Sequence, residues 1–154
     1  MRELDAALLT ETVARLCIQA NLRLPEDVKE RIQAARQEED WPVARNILDN
    51  IMENYSIGGE VPICQDTGMA CVFLEVGQEV HIRGDVTQAV NEGVRRGYEE
   101  GYLRKSVVRD PLDRVNTGDN TPAMITFELV PGDKVTVTVA PKGFGSENMS
   151  RIAM

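Results

Sequence analysis

The sequence predicts an α+β fold: an N-terminal helical part packed with a small, mainly antiparallel sheet and one long glycine-striped helix. Three observations carry this. Up to about residue 57 the apolar side chains recur at helical spacing. Between residues 125 and 139 they alternate with polar ones, the period of strands with one wet face. Between these regions, glycines at 93, 97 and 101 mark one stripe along a helix. No internal repeat, low-complexity tract or long linker interrupts the chain. The expected organisation is one compact unit, with a helical part over 1–57 and a sheet-containing part over 58–154.

Taken in order, Val13, Leu16, Cys17 and Ala20 stand at i, i+3, i+4 and i+7 and mark the inner face of a first helix. Pro25 opens a second, where its missing amide hydrogen costs nothing, with Val28, Ile32 and Ala35 on one face. Asp40 is placed to cap a third, whose stripe is Ala44, Ile47, Leu48, Ile51, Met52 and Tyr55. Met69 to Val76 is then a short apolar run. Gly77-Gln78-Glu79 reads as a turn and Val80 to Arg83 as the returning strand of a hairpin. Asp85 is placed to cap a fourth helix that gathers Val86, Ala89, Val90, Gly93, Val94, Gly97 and Tyr98 on one side. Each glycine costs about 1 kcal/mol against alanine, so the stripe predicts close packing, here on the sheet. Ile125, Phe127 and Leu129, the turn Pro131-Gly132-Asp133, and Val135, Val137 and Val139 predict an antiparallel pair.

Charge and cysteine usage narrow the function classes. With 25 acidic against 17 basic residues, the net charge of −8 lacks the basic footprint of a nucleic-acid-binding surface. No stretch approaches the ~20 apolar residues of a membrane span, and MRELDAALLTE is amphipathic rather than signal-like. Three cysteines, an odd number without a secretory signal, fit a reducing compartment. The expectation is a cytoplasmic protein without a nucleic-acid or membrane partner.

Three polar loops stand at the ends of structured elements: Cys64-Gln65-Asp66-Thr67-Gly68, Asn116 to Pro122, and Pro141 to Asn148. Each alone is ordinary turn chemistry. Cys17 and Cys71 read as small buried hydrophobes within a helix face and a strand. Cys64 differs, because its neighbours are polar and its backbone irregular. It could be a metal thiolate, a nucleophile or a disulfide partner for Cys71. A nucleophile wants a base, and the only histidine, His81, lies in a strand pattern without a third member. The Cys64–Cys71 spacing is not that of a zinc finger. One ligand of a centre completed elsewhere is what remains.

The stretches CQDTG, GYLRKSVVRDPLDRVNTGDNTPA and APKGFGSENMS resemble, in order and spacing, the N-terminal part of the alpha subunit of class I fumarate hydratases. The related L(+)-tartrate dehydratases are similar, and the resemblance spans essentially the whole chain. It implies an oxygen-sensitive 4Fe–4S hydro-lyase that hydrates fumarate to L-malate reversibly, a tricarboxylic acid cycle reaction. By the same resemblance Cys64 is the first cluster cysteine, and Gln65, Asp66 and Arg104 bind the substrate. Gly143 and Gly145, within the turn Lys142 to Ser146, are its backbone contacts. The planar fork of an arginine suits a dicarboxylate. The family's two other cluster cysteines and its catalytic base lie outside the matching motifs, so the chain is expected to be a C-terminally truncated piece, inactive alone. Its implied partners are a beta subunit or C-terminal domain of the same enzyme, a small dicarboxylate, and further copies in a homo-oligomer of the alpha/beta pair. A tartrate dehydratase subunit and a non-catalytic assembly module of the same fold are the other readings.

Overall fold

The first strand is one the periodicity conceals. In the chain's structure, a computed structural model that describes residues 1–57, 59–145 and 150–153, β1 (Arg2–Asp5) precedes α1 (Ala6–Leu22). There follow α2 (Glu26–Glu38), α3 (Pro42–Ile57), β2 (Met69–Gly77), β3 (Val80–Arg83), α4 (Val86–Glu100), β4 (Met124–Val130) and β5 (Val135–Lys142). The α+β class holds. Two compact units divide the chain: Met1–Ala20 with Gln65–Met154, and Asn21–Cys64.

The sheets of the first unit correct the expected pairings. β2 and β3 do not form a hairpin: β3 pairs with β1 in parallel, with Leu4 opposite Ile82. Nor do β4 and β5 pair with each other. β2 lies between them in the order β4-β2-β5, parallel to β4 and antiparallel to β5. The expected mainly antiparallel sheet is therefore replaced by two parallel ladders and one antiparallel ladder. The reason is visible at Gly77. Instead of a tight turn, residues 131–134 arch past the end of β2, bound by Gly77 N–H to Lys134 O (2.8 Å), Gln78 N–H to Val130 O (2.8 Å) and Glu79 N–H to Gly132 O (2.9 Å). A Cβ on Gly77 would run into the backbone of Gly132, so the arch needs a glycine beneath it.

The core lies on one side of the three-stranded sheet. Ala70, Val72, Leu74 and Val76 of β2 are buried against Leu9, Val13 and Cys17 of α1 and Val90, Val94 and Tyr98 of α4. Burying each of the valines and leucines among them contributes roughly 1.5–3 kcal/mol. Cys71 is not part of this core. It is only half-buried, because alternation along β2 turns it to the opposite face.

The predicted face of α4 is the buried one: Ala89, Val90, Gly93, Val94, Gly97 and Tyr98. Asp85 caps it as expected, its Oδ1 accepting from Gln88 N–H at 2.9 Å. The glycine stripe, however, faces α1 rather than the sheet. A Cβ on Gly93 would stand 2.7 Å from Thr10 O, and one on Gly97 2.7 Å from Ala14 O and 2.9 Å from Cys17 Cβ. The absent side chains let two helix backbones approach. Thr10 reinforces the contact by donating its hydroxyl to Ala89 O at 2.9 Å.

In the second unit α2 and α3 are joined by a two-pronged ion pair, Arg36 Nε to Asp49 Oδ1 (2.7 Å) and Arg36 Nη2 to Asp49 Oδ2 (3.1 Å). That guanidinium holds the Asp49 carboxyl below the usual range. α3 starts at Pro42, with Trp41 O accepting the first helical hydrogen bond, so the cap falls on Trp41 and not on Asp40. The apolar stripe of α3 is not buried within this chain: neither α2 nor α3 has a buried residue, and Ile47 and Ile51 are exposed.

Candidate functional site

Parallel pairing of β2 with β4, and antiparallel pairing with β5, bring three chain segments to one end of the sheet. The segment entering β2, the one entering β4 and the one leaving β5 all meet there. Those are the three polar loops, with Gln65 to Gly68 as the first loop's share in this unit. Close packing holds them: Gly68, at φ +59°, lies against the Lys142 carbonyl so closely that no Cβ fits.

Asp66 is the meeting point of the first and third loops. Its Oδ2 accepts the backbone N–H of Phe144 at 2.9 Å and that of Gly145 at 3.0 Å. A Cβ on Gly143 would stand 2.8 Å from that same oxygen. The expected loop glycines are therefore gathered around a carboxylate of the chain itself, and the two successive amides form a small anion cradle. The expected residues from Ser146 to Asn148 lie outside the described residues.

Thr67, the next residue, is buried and donates its hydroxyl to the Arg104 carbonyl at 2.7 Å. Its own carbonyl accepts the Tyr98 hydroxyl at 2.8 Å. The backbone of Arg104 is thus tied to the first loop, while its side chain is exposed and has no ion-pair partner among the described residues. Glu100, four residues earlier, is engaged by Arg96 at 3.4 Å. α4 ends at Glu100 and Tyr102 takes φ 51°, so helical spacing no longer relates Glu100 to Arg104. Gln65 is exposed.

Sequence reasoning missed Asn120, the residue that joins these parts. It is fully buried at φ 63°, its Oδ1 accepts Ser106 N–H (2.7 Å) and Val107 N–H (3.1 Å), and its Nδ2 donates to Gly68 O (3.0 Å). One amide thereby fixes the start of β2, the segment after Arg104 and the loop before β4. A signal existed in Asn-Thr-Gly-Asp-Asn, where a left-handed asparagine is favoured, but turns use the same residues on the surface. Beside it, the Ser106 hydroxyl is buried with no hydrogen-bond partner among the described residues. Asp119 is opposed by its burial, yet Thr121 N–H (3.0 Å) and Thr121 hydroxyl (2.8 Å) hold its carboxyl below the usual range.

Cys64 closes the second unit. The residue before it is pinned on both sides: Ile63 N–H donates to Asn21 O and Ile63 O accepts Asn54 Nδ2, each at 2.9 Å. The Cys64 residue itself is exposed, and no disulfide joins it to Cys17 or Cys71. Cys17 is the inert one, its thiol pushed up to about 12 by burial. Among the described residues no three His, Cys, Asp or Glu side chains converge as a metal-holding group. The resemblance calls for a cluster held by three thiolates. Cys64 is one suitable donor, and no donor set for a whole cluster accompanies it among the described residues.

A sequence model of the family described as Fumarate hydratase (Fumerase) matches residues 10–154. The chain belongs to that family. Within the fumarate hydratase family it is similar to the "Putative L(+)-tartrate dehydratase subunit alpha" of Methanocaldococcus jannaschii, at 37% identity over 95% of this chain and 54% of that protein. It is also similar to the L(+)-tartrate dehydratase subunit alpha of Escherichia coli strain UTI89, at 29% identity over 89% of this chain and 47% of the relative. The K12 strain's protein of that name is 27% identical over 95% and 50%. The chain spans about half the length of the curated relatives it matches. No helix among its described residues is long and apolar enough to cross a membrane.

Proposed function

We propose that this chain forms the N-terminal part of the alpha subunit of an iron–sulfur hydro-lyase acting on a four-carbon dicarboxylate. The reaction adds water across a carbon–carbon double bond, or removes it from the corresponding hydroxy acid. One carbon exchanges its hydroxyl and the adjacent carbon exchanges a proton. In this reading Cys64 contributes one thiolate to a 4Fe–4S cluster whose other ligands lie elsewhere in the enzyme, and an iron with an open position supplies Lewis-acid chemistry to the substrate hydroxyl when bound. Gln65, Asp66 and Arg104 bind the substrate, Arg104 by a forked pair of hydrogen bonds to a carboxylate. Gly143 and Gly145 lie against the substrate, beside the Phe144 and Gly145 amides that hold the Asp66 carboxylate. A beta subunit completes the site, in keeping with the "subunit alpha" of the relatives' names.

The observation that carries the reading is the meeting of Asp66 with the backbone of Phe144 and Gly145, which unites two of the three family stretches at one anion-binding point. The family description favours fumarate and L-malate, whereas the relatives' names favour L(+)-tartrate. The full alpha subunit with its partner, purified and loaded with its cluster without oxygen, separates the two. Loss of fumarate absorbance establishes the first reading and formation of oxaloacetate from L(+)-tartrate the second. A cluster-loaded enzyme that turns over neither overturns the proposal.

A further inference from the structure

The outer strand of the three-stranded sheet is prepared for a neighbour. β4 is an edge strand of seven residues, MITFELV, and among the described residues has no strand partner beyond β2. Its side chains alternate between two kinds of surface. Phe127 and Leu129 share the face of Leu74 and Val76, their partners in register, yet are 54% and 58% exposed where those are buried. The two helices that cover β2 leave this end of β4 bare. On the other face Thr126 and Glu128 border a shallow depression of about 360 Å³ with Phe73, Glu75 and Thr138.

The charges on that open face say what fits. Glu75 and Glu128 are register partners on adjacent strands, a placement of like charges that destabilises a sheet. Neither has an ion-pair partner among the described residues. A cationic side chain laid across this point relieves the repulsion, and Phe73, 41% exposed, offers an apolar floor for its methylene stem. A second copy of this chain adding its own β4 would instead double the carboxylates on one face.

We propose that the β4 edge is a docking site for an extended segment of a partner polypeptide, added as a strand, whose side chains alternate between apolar and Lys or Arg. Its apolar side chains extend the face of Phe127 and Leu129, its cations sit over Glu75 and Glu128, and its backbone pairs with the open edge of β4.

The probe is a short dye-labelled peptide alternating valine and lysine, followed by fluorescence anisotropy with the whole chain. Three controls are the same residues in two blocks, the peptide alternating valine and glutamate, and the alternating peptide N-methylated throughout. The alternating valine–lysine peptide should bind at least about tenfold more tightly than each control. In the variant with Glu75→Lys and Glu128→Lys, which places both changes on an exposed face, the preference should invert towards the valine–glutamate peptide. Equal binding of the block or N-methylated peptide reduces the effect to net charge and overturns strand addition. An unchanged preference in the double variant overturns the site. Self-association in light scattering that Phe127→Lys abolishes assigns the edge to a second copy and overturns the proposal as well.

Discussion

Asn120 donates its side-chain amide to the carbonyl of Gly68, 52 residues earlier, at 3.0 Å. The same side chain receives the amides of Ser106 and Val107 on its oxygen. Replacing it by alanine leaves two N–H groups and a carbonyl without their partner in a buried place. The expected loss is at least about 2 kcal/mol, because unsatisfied buried groups cost more than a hydrogen bond returns. Urea unfolding of Asn120→Ala measures it, and amide exchange at Ser106 and Val107 should quicken beyond the global change.

Gly97→Ala tests the α1–α4 contact, since the two effects of the substitution have opposite signs. Alanine in a helix interior normally gains about 1 kcal/mol over glycine. Here its methyl group would lie 2.7 Å from Ala14 O and 2.9 Å from Cys17 Cβ, in a backbone-lined gap with little room to yield. Overpacking of this kind costs roughly 1–3 kcal/mol. Gly97→Ala should therefore lower the thermal midpoint and Gly97→Leu lower it further. A midpoint raised by alanine shows that the helices part easily.

The cysteines should separate by reactivity. Cys64 is exposed, Cys71 half-buried, and Cys17 fully buried with a raised pKa. Brief maleimide treatment of the folded chain followed by peptide mass mapping should find the label first on Cys64. Prior labelling of Cys17 is incompatible with the α1–α4 packing.

Arg104→Lys is informative in the full, cluster-loaded enzyme. If Arg104 clamps a carboxylate, lysine keeps the charge and loses the fork. The expected reduction in kcat/KM corresponds to roughly 2–4 kcal/mol. A surface role predicts far less, because an exposed arginine with no ion-pair partner among the described residues contributes little. A loss below about threefold, with cluster content matched and stability unchanged, places Arg104 outside the site.

What the sequence disclosed follows from what periodicity encodes. A helix carries its own ladder, so the spacing of apolar residues alone identified the buried side of α4 from Ala89 to Tyr98. A strand gives its two faces but not its neighbours. Val135, Val137 and Val139 alternate equally well beside β4 or beside β2, and a Pro-Gly turn hides that β2 intervenes. The stripe Gly93, Gly97 and Gly101 foretold close packing but not which surface would approach. Likewise the chain order showed three polar loops, whereas their convergence depends on the order β4-β2-β5. Asn120 was illegible because its value lies in partners 52 residues upstream and 14 and 13 upstream.

The arch over Gly77 also dictates an order of events. β2 is the innermost strand, but both of its neighbours come later in sequence, beyond α4: β4 from Met124 and β5 up to Lys142. During synthesis the apolar run Met69–Gly77 leaves the ribosome with neither of its partner strands made, and it stays so until α4 and the loop behind it have emerged. Long-range pairing of this kind closes slowly and leaves apolar surface open to misassociation in the interval. The nascent chain is therefore one whose central strand needs protection before its edge strands exist.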